Sequence, residues 1–356
     1  MTTQMLPSIQ ALRALAVFLV ALVHLPALAM MVGGPADIFD FGHAGVDLFF
    51  VISGLIMTLT TSQRTISPWR FFAHRLSRVV PLYWLITIAV FCIAILAPWL
   101  LQATRADAVQ LLKSLLFIPF QKENGQIAPI VFVGWTLNYE MMFYAIFGLS
   151  LVVNNRRIGA CMICAVLFVA AALPVNRLTT NIAVSFYTNP IIIEFSFGII
   201  LGLILPYLPS QTSWRWPAAI SGLLALGCIV CGPFIFPGHD RVVQFGIPAF
   251  VIVLSALLLD LTKIKVPSSL MRLGDASYAI YLTHFFVTQA VIKLAAKLPW
   301  HNSILFIFEF TLAIFGIVAV GLLTHDWIER PFNAKARRFL SYGEPRRRAE
   351  SALSKA

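Results

Sequence analysis

The sequence predicts an all-α, polytopic membrane protein of about ten transmembrane helices with both termini cytoplasmic. Three observations carry this expectation. Of the 356 residues, 59% are hydrophobic and only 12% are charged, about half the charged share of a soluble globular protein. Apolar runs of about 20 residues, enough to cross a hydrocarbon core of roughly 30 Å, recur from end to end. The 26 Lys and Arg concentrate in alternate connections between those runs. Together these features exclude a cytosolic enzyme, a DNA-binding protein and a disordered tail protein.

The ten runs fall at residues 9–31, 43–61, 80–101, 132–153, 158–173, 186–205, 214–236, 241–261, 275–294 and 303–324. Residues 1–7 carry neither a basic n-region nor a small-residue cleavage site, so the first run is expected to remain as a helix. A longer connection, 102–131, separates the third run from the fourth, and within it 106–118 is amphipathic and suited to the interface. No internal repeat or low-complexity linker divides the chain. Residues 1–330 read as one ten-helix membrane domain and 331–356 as a basic cytoplasmic tail.

The net charge of +11 reports topology rather than nucleic acid. One set of connections holds Arg64, Arg70, Arg75, Arg78, Arg156, Arg157, Arg215, Lys263, Lys265 and Arg272. The tail adds Arg330, Lys335, Arg337, Arg338, Arg346, Arg347, Arg348 and Lys355. The opposite connections hold only Arg105, Lys113, Lys122, Arg177, Arg241, Lys293 and Lys297. The positive-inside rule places the richer set, and both termini, in the cytoplasm of a cell whose inner membrane holds the chain.

The pairs Cys161-x-x-Cys164 and Cys228-x-x-Cys231 have zinc-site spacing, but both fall inside apolar runs without a charged neighbour to stabilise a thiolate. They read as inert helix-packing thiols, and no metal is expected.

Ionisable groups inside the runs are costly and therefore informative. Arg13 and His24 lie eleven residues apart, which in one continuous helix returns to nearly the same face after a rise of roughly 16 Å. Asp47 enters the second run at a depth comparable to His24, and Glu140 lies in the outer half of the fourth. Either carboxylate could orient an imidazole. Glu194, His284 and Glu309 add polar groups at similar depth, where helix-to-helix glue is an equal reading for the two acids. Ser53-Gly54 marks a close backbone approach or a helix break. On the inner side, Arg75-x-x-Arg78 precedes Pro81, a natural first helical residue, and spaces two guanidiniums to grip phosphate. Alone, the pair reads better as topology-setting charge that binds anionic headgroups.

In order along the chain, these residues resemble the acyltransferase-3 family of integral-membrane O-acyltransferases, particularly its exopolysaccharide and O-antigen acetyltransferase branch. The resemblance rests on Arg13-x10-His24, on Gly45 through Gly54 (GVDLFFVISG) and on Arg75-x-x-Arg78 with Pro81-Leu82-Tyr83-Trp84. It continues through Trp135-Thr136-Leu137-x-x-Glu140-x-x-Phe143-Tyr144, Gly274-x-x-Ser277-Tyr278-x-x-Tyr281-Leu282-x-His284 and Glu329-Arg330-Pro331.

The resemblance implies transfer of an acyl group, most often acetyl, from cytoplasmic acyl-CoA to a hydroxyl of a surface or exported polysaccharide or its lipid-linked precursor. Acetyl-CoA would then be a donor substrate, with no permanently bound cofactor. The partners implied are acyl-CoA, the glycan or lipid-linked glycan, membrane lipids and polysaccharide assembly proteins, with no nucleic acid. A sugar hydroxyl needs a positioned base, and His24 is the candidate, with Asp47 and Glu140 as catalytic carboxylates. Arg13, Arg75, Arg78 and Ser53 are candidates for holding the donor, and Trp135, Tyr139, Tyr278 and His284 for the substrate. No Gly-x-Ser-x-Gly elbow supports a serine acyl-enzyme. The rival readings are a secondary transporter for an anionic or acyl-bearing small molecule, and a scaffold in a polysaccharide assembly complex. A transporter would explain buried charge but not the ordered motifs.

Overall fold

The computed structural model describes residues 6–62, 66–101, 104–235, 238 and 240–341, which leaves Arg64, Gln102 and the tail residues Arg346, Arg347, Arg348 and Lys355 outside it. The regular structure of the described residues is helical, apart from one isolated bridge between Gln121 and Ile127. Each of the ten apolar runs contains a helix, and six of the described helices are long and apolar enough to cross a membrane. Large apolar side chains such as Leu96, Leu149, Val152 and Ile304 remain exposed on the outside, as a lipid-facing belt requires.

Helix α1 (Pro7–Leu22) opens on a proline at its first turn and ends before Pro26. The expectation of one continuous helix to residue 31 is therefore corrected. Pro26 offers no N–H, so the chain turns, with the His24 amide bonded to the Ala21 carbonyl at 3.2 Å, and restarts as the short Pro26–Met30 helix. His24 occupies that turn rather than the helix itself.

Helix α2 (Ala44–Ser62) is unbroken through Ser53-Gly54, so the close-approach reading applies there. Its partner is α7 (Ile193–Ile204). A Cβ on Gly54 would stand 2.1 Å from the Phe195 carbonyl oxygen, and one on Gly198 2.0 Å from that of Val51. Only glycine permits this spacing.

Helix α3 (Pro68–Leu96) is capped by Ser67, which accepts from the Arg70 amide at 3.4 Å. It runs through Pro81, which is interior and not the first residue as expected. Arg75 and Arg78 thus sit on one helix, three residues apart on one face. The amphipathic α4 (Ala108–Leu115) forms within the long connection, with Asp107 accepting from Val109 and Gln110 amides at 2.7 and 3.1 Å.

The rest of the bundle is α5 (Trp135–Ser150), α6 (Arg156–Ala172), α8 (Arg215–Ile235), α9 (Ile247–Leu261), α10 (Ser268–Asp275), α11 (Ser277–Ala295) and α12 (Ser303–Thr324). The predicted sixth run is divided at Asn189-Pro190, leaving Ile182–Tyr187 as a separate short helix ahead of α7. π-helical turns lead into α9 (Val242–Gly246) and out of α12 (His325–Glu329). Helix α1 lies near the middle, against α2, α9, α10 and α11. Stacked rings of Phe50, Phe195 and Phe143 join α2, α7 and α5, with centroids 4.4 and 4.2 Å apart.

Candidate active site

A partly open cavity lies between α1, α2, α3, α5 and α11. Helical periodicity selects its walls. Val46, Phe49, Phe50, Ser53, Ile56 and Met57 form one stripe of α2, and Thr136, Leu137, Glu140 and Tyr144 form one stripe of α5. From α11 come Ser277, Tyr278 and Tyr281.

Three guanidiniums meet at this cavity: Arg13, Arg75 and Arg78. Arg13 is only 8% exposed, and its Nη1 donates to Gln10 Oε1 at 3.1 Å. Arg75 donates to Thr60 Oγ1 at 2.9 Å and lies over the Phe71 ring. Among the described residues none of the three forms an ion pair with a carboxylate. The one carboxylate in the lining, Glu140, accepts a hydrogen bond from the Tyr144 hydroxyl. With three guanidiniums and one carboxylate in its lining, the cavity carries an excess of positive charge suited to an anion.

The far wall is aromatic. Tyr281 is fixed by its hydroxyl, which donates to the Val133 carbonyl at 2.8 Å and shares a 2.7 Å contact with Thr136 Oγ1. Its ring is 5.8 Å from that of His284, and the His284 ring is 5.2 Å from that of His24. Phe285 and Phe132 flank His24 at 5.2 and 6.0 Å. His284 Nδ1 stands 2.6 Å from the Tyr281 carbonyl oxygen. A carbonyl only accepts, so Nδ1 carries the proton, and in the neutral ring Nε2 is left as an acceptor. That Nε2 is buried and without a hydrogen-bond partner.

The structure thus brings Arg13, Ser53, Arg75, Arg78, Glu140 and Tyr278 to one cavity, and sets His24 and His284 together one ring beyond it. It does not bring the expected carboxylates to His24, which makes no hydrogen bond to either among the described residues. Asp47 is on the other face of α2, wholly buried, where Arg241 binds it through Nη2 at 2.6 Å and Nε at 3.2 Å. The partner of His24 is a second imidazole. Trp135 and Tyr139 also lie away from the cavity. Tyr139 is stacked on Phe186 at 4.1 Å and donates to its carbonyl at 2.8 Å. Glu194 and Glu309 are buried outside the lining. Sequence reasoning gave no role to Tyr281, Thr136 or Ser277. Tyr281 had a signal, because it sits one turn before His284 on the same helix.

A basic cavity next to paired imidazoles thus lies inside a helical membrane bundle. The acyltransferase-3 family model, described as an acyltransferase domain, matches residues 6–326. The chain belongs to the acyltransferase-3 family. Among its relatives, the exopolysaccharide production protein ExoZ of Rhizobium meliloti is 33% identical over 312 residues, covering 84% of this chain and 92% of that protein. Acyltransferase MdmB of Streptomyces mycarofaciens is 26% identical, covering 92% of this chain and 91% of its own length. O-acetyltransferase OatA of Staphylococcus aureus is 24% identical over 93% of this chain but only 57% of its own length. No solved structure matches the chain. As an acyltransferase-3 protein, this chain is a multi-pass membrane acyltransferase.

Proposed function

We propose that the protein transfers an acyl group, acetyl foremost, from cytoplasmic acyl-CoA to a hydroxyl of a surface or exported polysaccharide or its lipid-linked precursor. Residues 1–330 act as one inner-membrane catalytic domain, with both termini, including the basic segment 331–356, in the cytoplasm. The observation that carries this reading is a cavity lined by three guanidiniums and a single carboxylate, with Tyr281 in its wall against the ring of His284, which in turn faces His24. The phosphates of CoA are the anion that such an entrance fits. The printed name of the exopolysaccharide relative supports a polysaccharide as acceptor.

In this account Arg75, Arg78 and Arg13 hold the donor's phosphates, and Ser53 and Tyr278 line the path of its arm. The acceptor hydroxyl attacks the thioester carbonyl. A C–O bond forms and the C–S bond breaks, while His24 takes the hydroxyl proton and returns it to the departing thiolate. His284, locked by its Nδ1–H bond to the Tyr281 carbonyl, sets its ring against His24 where a carboxylate was expected. Asp47 has no part in the chemistry, because Arg241 occupies it. Trp135 and Tyr139 support the fold around α5.

The test compares acetyl content of surface polysaccharide from cells with and without the protein. Loss of ester-linked acetyl without the protein, restored by the wild-type chain, is expected. Unchanged acetylation contradicts the proposal. A reporter fused to the C-terminus should report cytoplasm.

A further inference from the structure

Helical serines and threonines in this protein commonly return their hydroxyl to a carbonyl one turn back. Thr58 bonds Gly54 at 3.0 Å, Thr61 bonds Met57 at 2.8 Å and Thr283 bonds Ala279 at 2.8 Å. Two serines of the cavity wall do not. Ser53 Oγ on α2 and Ser277 Oγ on α11 are buried without a hydrogen-bond partner. Ser277 is wholly buried at the first position of its helix, where no turn of α11 precedes it. Folding has taken both hydroxyls from water and given nothing in exchange, although Ser277 sits among groups that are otherwise well bonded. Tyr278 next to it donates to the Val79 carbonyl at 2.6 Å. A buried polar atom left in this state marks the place of an absent partner.

We infer that Ser53 and Ser277 form a subsite for an amide of the donor's pantetheine arm, an assignment that rests on the acyl-CoA reading above. An amide presents one N–H and one C=O, and two hydroxyls that each donate and accept complement both. Their position suits this role. Ser277, Tyr281 and His284 follow at i, i+4 and i+7 along one face of α11, so Ser277 lies roughly 10 Å along the helix from His284. The subsite shares its cavity with the three guanidiniums that would hold the phosphates, and from it the arm would run along α11 toward the imidazoles. The α2 wall around Ser53 is apolar, with Phe49, Phe50 and Ile56, and matches the arm's methylenes. An acyl chain offers the hydroxyls no partner, and a phosphate would bond the guanidiniums first.

Binding of three probes to the full-length protein in lipid nanodiscs tests the assignment: CoA, pantetheine, and adenosine 3′,5′-bisphosphate, which lacks the arm. Ser53→Ala and Ser277→Ala should each weaken CoA and pantetheine about fivefold, the gain of one neutral hydrogen bond. Affinity for the bisphosphate should not change. Ser277→Cys, which keeps the volume but bonds weakly, should follow the alanine variant. Variants that bind CoA and pantetheine like the wild type would overturn the inference, as would equal losses for all three probes. A raised requirement for the glycan acceptor with unaltered donor binding would also overturn it and assign the serines to the acceptor. A wild-type protein that fails to bind CoA would instead defeat the donor reading, and this inference with it.

Discussion

Removing Arg241 should cost stability rather than chemistry. Asp47 is 0% exposed and depends on Arg241 for hydrogen bonds at 2.6 and 3.2 Å, while the Arg241 side chain is 31% exposed. Deleting one partner of a buried pair typically costs about 3–5 kcal/mol, because the other charge stays buried. Water can reach the vacated site from the exposed side, so the lower end, about 3 kcal/mol, applies to Arg241→Ala. At about 2 °C per kcal/mol for a chain of this length, the unfolding midpoint should fall roughly 6 °C. Asp47→Asn combined with Arg241→Gln removes both charges and keeps a polar contact, so most of the loss should be recovered. The assay is thermal unfolding in nanodiscs beside acyl transfer per folded molecule. Arg241→Ala with an unchanged midpoint would refute the pairing argument. A double variant as stable as wild type but inactive would show that Asp47 does take part in the reaction.

Three further expectations concern packing, donor binding and pH. Gly198→Ala puts a Cβ 2.0 Å from the Val51 carbonyl oxygen, so α2 and α7 must separate and the folded yield should collapse. Recovery of wild-type yield would contradict the close approach. Arg75→Ala with Arg78→Ala should weaken CoA binding by at least tenfold, since charged hydrogen bonds are each stronger than neutral ones, and equal affinity in a titration would count against a phosphate grip. Burial pushes the Lys122 ammonium, in the connection before α5, down from the ordinary 10.5 to about 8. Below about 8 the folded protein must charge a buried amine, so the penalty is complete there and is relieved as pH rises toward 10.5. Stability should therefore climb across that window, and Lys122→Met should abolish the climb. A variant with the same pH profile would exclude Lys122 as its source.

The helical membrane architecture was legible because long apolar runs have few other solutions, and all ten contain a helix. The ends were less legible. A run that is apolar through Leu25-Pro26 looks continuous in composition, yet the missing proline N–H ends α1 and moves His24 off the helix. Pro81 misled in the opposite direction, because a helix of 29 residues continues through one lost bond. Arg75 and Arg78 could be read from spacing alone, as i and i+3 share a face wherever the helix begins. The neighbours of His24 could not. Helix α2 is apolar almost all round, so its sequence does not say which face turns toward α1 and which toward α7. Depth suggested Asp47 as a partner, but azimuth decides contact, and azimuth hands Asp47 to Arg241, 194 residues away. The imidazole pair depends likewise on how α11 meets the turn after α1, which no local pattern encodes.

The proposed transfer depends on the cavity's delivery of an acyl thioester to the His24–His284 pair. It is tested most directly by incubating nanodisc-held protein with acetyl-labelled acetyl-CoA and polysaccharide from cells that lack the protein. The wild type should move label into base-labile ester on the polysaccharide, and His24→Ala should abolish that transfer while still binding CoA. Label transfer at the wild-type rate by folded His24→Ala would contradict the account.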